Sequence, residues 1–240
     1  MNLISLYKLR MKMLIMSAIL VIPTIVIAGF IAVMYSITPS QITASFLLSG
    51  FVLFVICTVM SMCIASKEDD VHEEMLQLHS RSETGFYISR ELVYLTICVV
   101  YSLVLIIYPV FSAMRNDSFF TRQLQKEDVI LGGLLIFANA LCGMAIGDFF
   151  HKRIVHNRKA AVILLIVVAA LAVVKFSVIY DNSILKYPYY LIPPVMDGFK
   201  MVGSTDLFDS AGTVHILIHA IVFVLVTMIV KIRLLIYKKY

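Results

Sequence analysis

Six runs of about twenty or more residues with almost no charge recur along this 240-residue chain. They fall at 13–36, 43–66, 92–114, 129–150, 160–180 and 213–237. In hydrocarbon no water is available to an unpaired amide or carbonyl, so each run must satisfy its backbone internally, as a helix. The expected fold is therefore all-α: a polytopic membrane protein with six transmembrane helices. Composition agrees, with 61% hydrophobic and 15% charged residues and a mean hydropathy of +0.95. Soluble domains carry nearer a quarter charged residues.

The first run is too long for the apolar core of a secretory signal and is followed by no small-residue cleavage site, so it is expected to remain as a span. Pro23-Thr24 near its middle predicts a kink. With no Trp among 12 Tyr and 15 Phe, any aromatic belt falls to Tyr and Phe. Cys57, Cys63, Cys98 and Cys142 all lie in apolar runs without paired spacing, which argues for buried thiols and against a disulfide framework or zinc site.

The net charge of +5 sits at the flanks of the runs and is no nucleic-acid signature. With both termini cytoplasmic, fourteen Lys and Arg lie inside and six outside, which obeys the positive-inside rule. Residues 37–42 then form a tight outer turn, 67–91 a long inner segment and 181–212 a long outer one. No repeat or separate soluble domain interrupts residues 1–240, which form one membrane domain.

The inner segment carries ten charges in its twenty-five residues. Val71, Met75 and Leu78 share one helical face, Asp69, Asp70, Glu73, Glu74 and Gln77 cover the rest, and Ser80 and Ser82 interrupt the helix. This predicts a short cytoplasmic helix over about 69–82, pinned at both ends by spans and suited to docking.

The stretch EEMLQLHSRSETGFYISRELVY resembles the coupling-helix region of type-2 ABC exporter membrane subunits. Matching positions are Glu73 or Glu74, Leu76 and Leu78, Ser80 and Ser82, and Arg90; where that family commonly has Gly-Thr, this chain has Met75-Leu76. Topology resembles the family too. The resemblance implies that Asp70, Glu73, Glu74, Met75, Leu78, Ser80 and Ser82 couple the chain to a separate ATP-binding subunit, present in two copies. It also implies a second membrane subunit, a copy or a homologue, and an outer segment that dips part way into the bilayer. No G-x-x-x-x-G-K-[ST] occurs, so this chain is expected to be a non-catalytic permease that binds no cofactor itself, with ATP and Mg on the partner.

Other features are weighed singly. YYLIPPVMDGF, with Tyr190 and the Pro193-Pro194 pair, is too short to cross, and it is expected at the outer mouth or in the interface. His215 and His219, one turn apart near the outer end of the last run, lack a third ligand and are assigned with Tyr190, Pro193 and Pro194 to an outer gate; no metal is expected. His72-Glu73 is not an H-E-x-x-H site, and Gly147-Asp148 is not an aspartyl-protease motif. Asn139, Gly143 and Gly147 form a small-residue stripe for close helix packing. Lys175, near the outer end of its run, either snorkels to the interface or faces the pathway, where it would favour an anionic group on the cargo.

The resulting expectation is the membrane subunit of a bacterial plasma-membrane exporter for hydrophobic or amphipathic cargo, peptide or drug-like, in contact with lipid and with no nucleic acid. Polysaccharide exporters of that family carry a longer helix before the first span than MNLISLYKLRMK. The alternatives are an ion-coupled secondary transporter, disfavoured by the lack of ionisable groups at mid-membrane, and a non-transporting scaffold or regulatory subunit.

Overall fold

The computed structural model describes residues 2–67, 75–80, 82–116, 118–152, 154–178, 192–201 and 206–237. Their elements are α1 (Leu3–Met16), a 3-10 turn (Ala18–Leu20), α2 (Val21–Met34), α3 (Ile42–Lys67), α4 (Glu83–Arg115), α5 (Lys126–Phe149), α6 (Arg158–Val178), a second 3-10 turn (Asp197–Met201) and α7 (Ser210–Tyr237). No strand longer than a single bridge occurs among the described residues. Four helices, α3, α4, α5 and α7, are long and apolar enough to cross a membrane, and α1 with α2 makes a fifth if the bent pair is one span. The described residues are all-helical, and their long apolar helices are those of a multi-pass membrane protein. α6 covers the fifth apolar run with 21 helical residues.

Packing alternates up and down. Gly50 meets Asn139, Phe54 meets Gly143 and Thr58 meets Gly147, so α3 and α5 run parallel. Asp148 meets Lys231 and Leu135 packs with Ile216, so α7 runs parallel to both. Tyr94 bonds Asp148 while Ile106 lies against Gly133, so α4 runs the other way. The end where α3, α5 and α7 begin is called upper here, and the end where they finish lower.

Helical structure begins at Leu3, ten residues before the first apolar run, and two further features differ from the sequence expectation. The first span breaks at Ser17 and not at Pro23: Ser17 is extended, its hydroxyl donates to the Leu14 carbonyl at 2.7 Å, and the two halves bend by 65°. Pro23 sits in the first turn of α2, where an absent amide proton costs little. Thr24 Oγ1 donates to Leu20 O at 2.7 Å and pairs with the Tyr101 hydroxyl at 3.1 Å, tying the break to α4. The second difference is α4, which starts at Glu83, nine residues before the apolar run. Its 33 residues make about 50 Å of helix, well beyond the about 30 Å of a hydrocarbon core. Ser82 explains the start: it is extended, and its hydroxyl accepts the Gly85 amide at 3.1 Å, a serine N-cap that apolarity alone does not reveal.

The centre of the bundle is the α3–α5 seam. A Cβ at Gly143 would collide with the Phe54 carbonyl and one at Gly147 with the Thr58 carbonyl, while one at Gly50 would stand 2.9 Å from Asn139 Nδ2. Absent side chains let the two backbones close together, the usual source of affinity between helices in lipid. Phe46, Leu53, Cys57, Met60, Tyr94, Cys98, Ile136 and Met144 fill the core around it.

The upper end is tied by polar groups. The Asp206 carboxylate accepts from the Ile42 amide at 2.9 Å, the Thr43 amide at 2.8 Å, Thr43 Oγ1 at 2.6 Å and Thr121 Oγ1 at 2.9 Å. Arg122 donates to the Asp206 carbonyl and forks onto Asp128 with two bonds of 2.7 Å. Two loops far apart in sequence, around Thr121 and Asp206, are thereby fixed over the first turn of α3. Burial alone would raise the Asp206 carboxyl; the hydrogen bonds from Thr43, Ile42 and Thr121 outweigh it and hold the group below the usual carboxylate range. The Asp128 carboxylate bonded to it raises Arg122 further above its ordinary value.

Candidate functional site

Between α3 and α4, residues 75–78 form a single helical turn at the lower end. Leu76 packs against Leu6, Phe86, Tyr87 and Leu235, and Gln77 is buried. Met75 and Leu78 point away, 60% and 84% exposed. Ser80 Oγ donates to Gln77 O at 2.8 Å and Ser82 O at 3.2 Å, and Ser82 caps α4. Of the residues assigned to coupling, Met75 and Leu78 thus form an exposed apolar pair, while Ser80 and Ser82 build the turn beneath it. Asp70, Glu73 and Glu74 lie outside the described residues, as does Tyr190.

Directly above this turn, three helices bring four charged side chains together. Lys231 of α7 donates to Glu91 of α4 and to Asp148 of α5. Arg90 Nε stands 3.7 Å from Asp148 Oδ1, to which the Tyr94 hydroxyl also donates at 3.0 Å. Arg90, Asp148 and Lys231 are buried, and so is His151 beside them. Two cationic side chains, Arg90 and Lys231, thus face two carboxyl groups, those of Glu91 and Asp148. Nearby, the Arg10 guanidinium of α1 stacks over Phe86, 4.4 Å from the ring centre.

The sequence reading missed this cluster. Its signal was present: Arg90 and Glu91 at the start of one run, Asp148 at the end of another and Lys231 two turns before the end of the last all fall at one depth once the helices alternate. Taken singly, Arg90 and Lys231 read as membrane flanks, Arg90 also as part of the coupling-helix resemblance, and Asp148 as an incomplete protease motif.

At the upper end Pro193, Pro194 and Val195 are buried, and Asn139 Nδ2 lies 3.5 Å from the Val195 carbonyl. Asn139 is thirteen residues into α5, about 20 Å along its axis, so this segment reaches deep between the helices. Lys175 is buried, donating to Asp197 at 3.2 Å and to the Ile192 carbonyl at 3.0 Å. It holds the inserted segment and does not snorkel, because Asp197 is brought to it by a turn that the sequence alone did not place. His219 is buried while His215 is exposed. Among the described residues no three His, Cys, Asp or Glu side chains are grouped to hold a metal ion.

No family model, no curated protein and no solved structure matches this chain.

Proposed function

We propose that this chain is the membrane subunit of an ATP-driven exporter, moved by a separate ATPase that docks at residues 69–82. The observation that carries this reading is the exposed pair Met75 and Leu78 on a turn anchored from behind by Leu76 and Gln77. Two large apolar side chains held outward, with the acidic residues Asp70, Glu73 and Glu74 shortly before or beside them in sequence, suit the apolar centre of a protein interface. α4 begins five residues beyond the 75–78 turn, directly after the Ser82 cap, and overreaches the hydrocarbon by about 20 Å, so it acts as a lever from the docking surface into the bundle.

In this reading α6 is the fifth of six spans, the lower end faces the bacterial cytoplasm and the upper end the outside. ATP and Mg bind on two partner subunits. The second membrane subunit is a copy or homologue, and the apolar outer faces of α6 and α7 suit hydrophobic or amphipathic cargo. Purification of the tagged chain from its native host in mild detergent tests the docking. The expected result is a stoichiometric P-loop ATPase that is lost from Met75→Asp with Leu78→Asp and from Glu73→Lys with Glu74→Lys. Intact wild-type chain that carries no ATPase would reject the reading in favour of a scaffold or ion-coupled carrier.

A further inference from the structure

We infer that Arg90, Glu91, Asp148 and Lys231 form a latch that closes the lower end of the bundle, and that the 75–82 turn operates it through α4. This rests on the reading of that turn as a docking surface and names the element on which docking acts.

Position is the first argument. Arg90 and Glu91 stand two turns beyond the Ser82 cap, on the helix that leaves the docking turn. Their partners are on α5 and α7, so the ion pairs tie the lever to two other helices at one level. A force passing along α4 from the turn reaches Arg90 and Glu91 before Tyr94, which also bonds Asp148.

Energetics is the second. Four charges removed from water rarely stabilise a fold better than apolar packing of the same volume, so stability alone does not account for them. Ionisable groups inside membrane-spanning helices mark function more often than structure. An apolar seam pulled apart would expose grease to water. A seam of ion pairs at the watery end has two acceptable states, paired when closed and hydrated when open, which is what a bistable element requires. Burial is graded in the matching sense: the Glu91 side chain is 19% exposed and that of Asp148 1%, so Glu91 forms the open rim of the cluster.

The seam continues upward along the same face of α4, from Arg90 through Tyr94 to Cys98 at four-residue steps. Cys98 is fully buried, and its thiol reports whether water has passed the latch.

The test keeps Cys98 as the sole thiol, with Cys57, Cys63 and Cys142 replaced by Ala. A membrane-impermeant maleimide is applied to right-side-out and inverted membrane vesicles. Lys231→Met is expected to speed labelling of Cys98 by about tenfold or more from the face bearing residues 75–82 and not from the other. Lys231→Arg, which keeps the charge, is expected to leave Cys98 protected. Glu91→Gln, at the exposed rim, is the milder variant should Lys231→Met fail to fold; circular dichroism and a monodisperse elution profile establish folding. Cys98 that stays protected in a folded variant, or is labelled equally from both faces, overturns the latch. In native-host membranes, ATP is expected to accelerate labelling of the otherwise wild-type protein but not of Met75→Asp with Leu78→Asp. A latch that opens in Lys231→Met yet ignores ATP removes the docking turn as its operator, and absence of a co-purifying ATPase separates failure of the exporter reading from failure of the latch.

Discussion

Asp206 caps the helix that begins at Ile42, 164 residues earlier in the chain, by accepting the Ile42 amide proton at 2.9 Å. The same carboxylate takes the Thr43 amide and hydroxyl, so one acidic side chain satisfies the opening donors of α3. A helix buried by its neighbours has no water at its start, and a cap must come from elsewhere in the fold. Asp206 has φ 47°, a left-handed conformation that Asp tolerates better than most residues.

Asp206→Ala is therefore expected to lower stability by about 2 kcal/mol or more, through lost capping bonds and added backbone strain. Thermal unfolding in detergent checks this. Asp209→Ala is the comparison: that carboxylate accepts the Ala211 and Gly212 amides in an exposed setting, and its loss should cost less, about 1 kcal/mol.

The same group gives a pH dependence. The folded Asp206 carboxyl lies below its unfolded value of about 3.9, so its contribution is complete above that pH and is lost as pH falls through the lower folded value. The stability gap between wild type and Asp206→Asn should be constant from neutral pH down to about 4 and narrow below it. A gap that narrows instead between pH 7 and 5 would assign it to another group.

Glycines of the α3–α5 seam should be intolerant in a position-dependent way. A Cβ at Gly147 meets the Thr58 backbone carbonyl, which cannot rotate aside as a side chain can, whereas one at Gly29 in α2 meets nothing within 4 Å. Gly147→Ala is expected to cost about 2 kcal/mol or more by overpacking. Gly29→Ala should be neutral or slightly stabilising, by up to about 1 kcal/mol from helix propensity. Folded yield and melting temperature in one detergent compare the two.

How much of this could be read from the residues differs by kind of feature. The helical class and most helix ends followed from apolar run length, because lipid leaves the backbone one economical solution. The spacing of Asn139, Gly143 and Gly147 is visible in the sequence, but which helix faces them is not. What did not follow depends on partners distant in sequence. Ser17 ends α1 by bonding its own backbone, a choice that Pro23 masked. Ser82 starts α4 nine residues early because a cap and later tertiary contacts outweigh the polarity of 83–91. The Lys231, Asp148, Glu91 grouping needs the relative depth of three helices, and a single apolar profile does not carry it.

Lys175 and Asp197 provide the last test, because they join the inserted segment to α6 inside the bundle. Removing the lysine alone, as in Lys175→Met, takes the cation from beside a buried carboxylate and is expected to cost about 3 kcal/mol or more. The double variant Lys175→Met with Asp197→Asn removes both charges at once. It should recover a large part of that loss, with a coupling energy of about 1 kcal/mol or more in the double-mutant cycle. Additive costs would mean that the two side chains act independently. A recovered double variant would assign the cost of the single change to the Asp197 carboxylate left without its cation, and would show that the buried residues Pro193, Pro194 and Val195 suffice to seat the segment once neither charge is present.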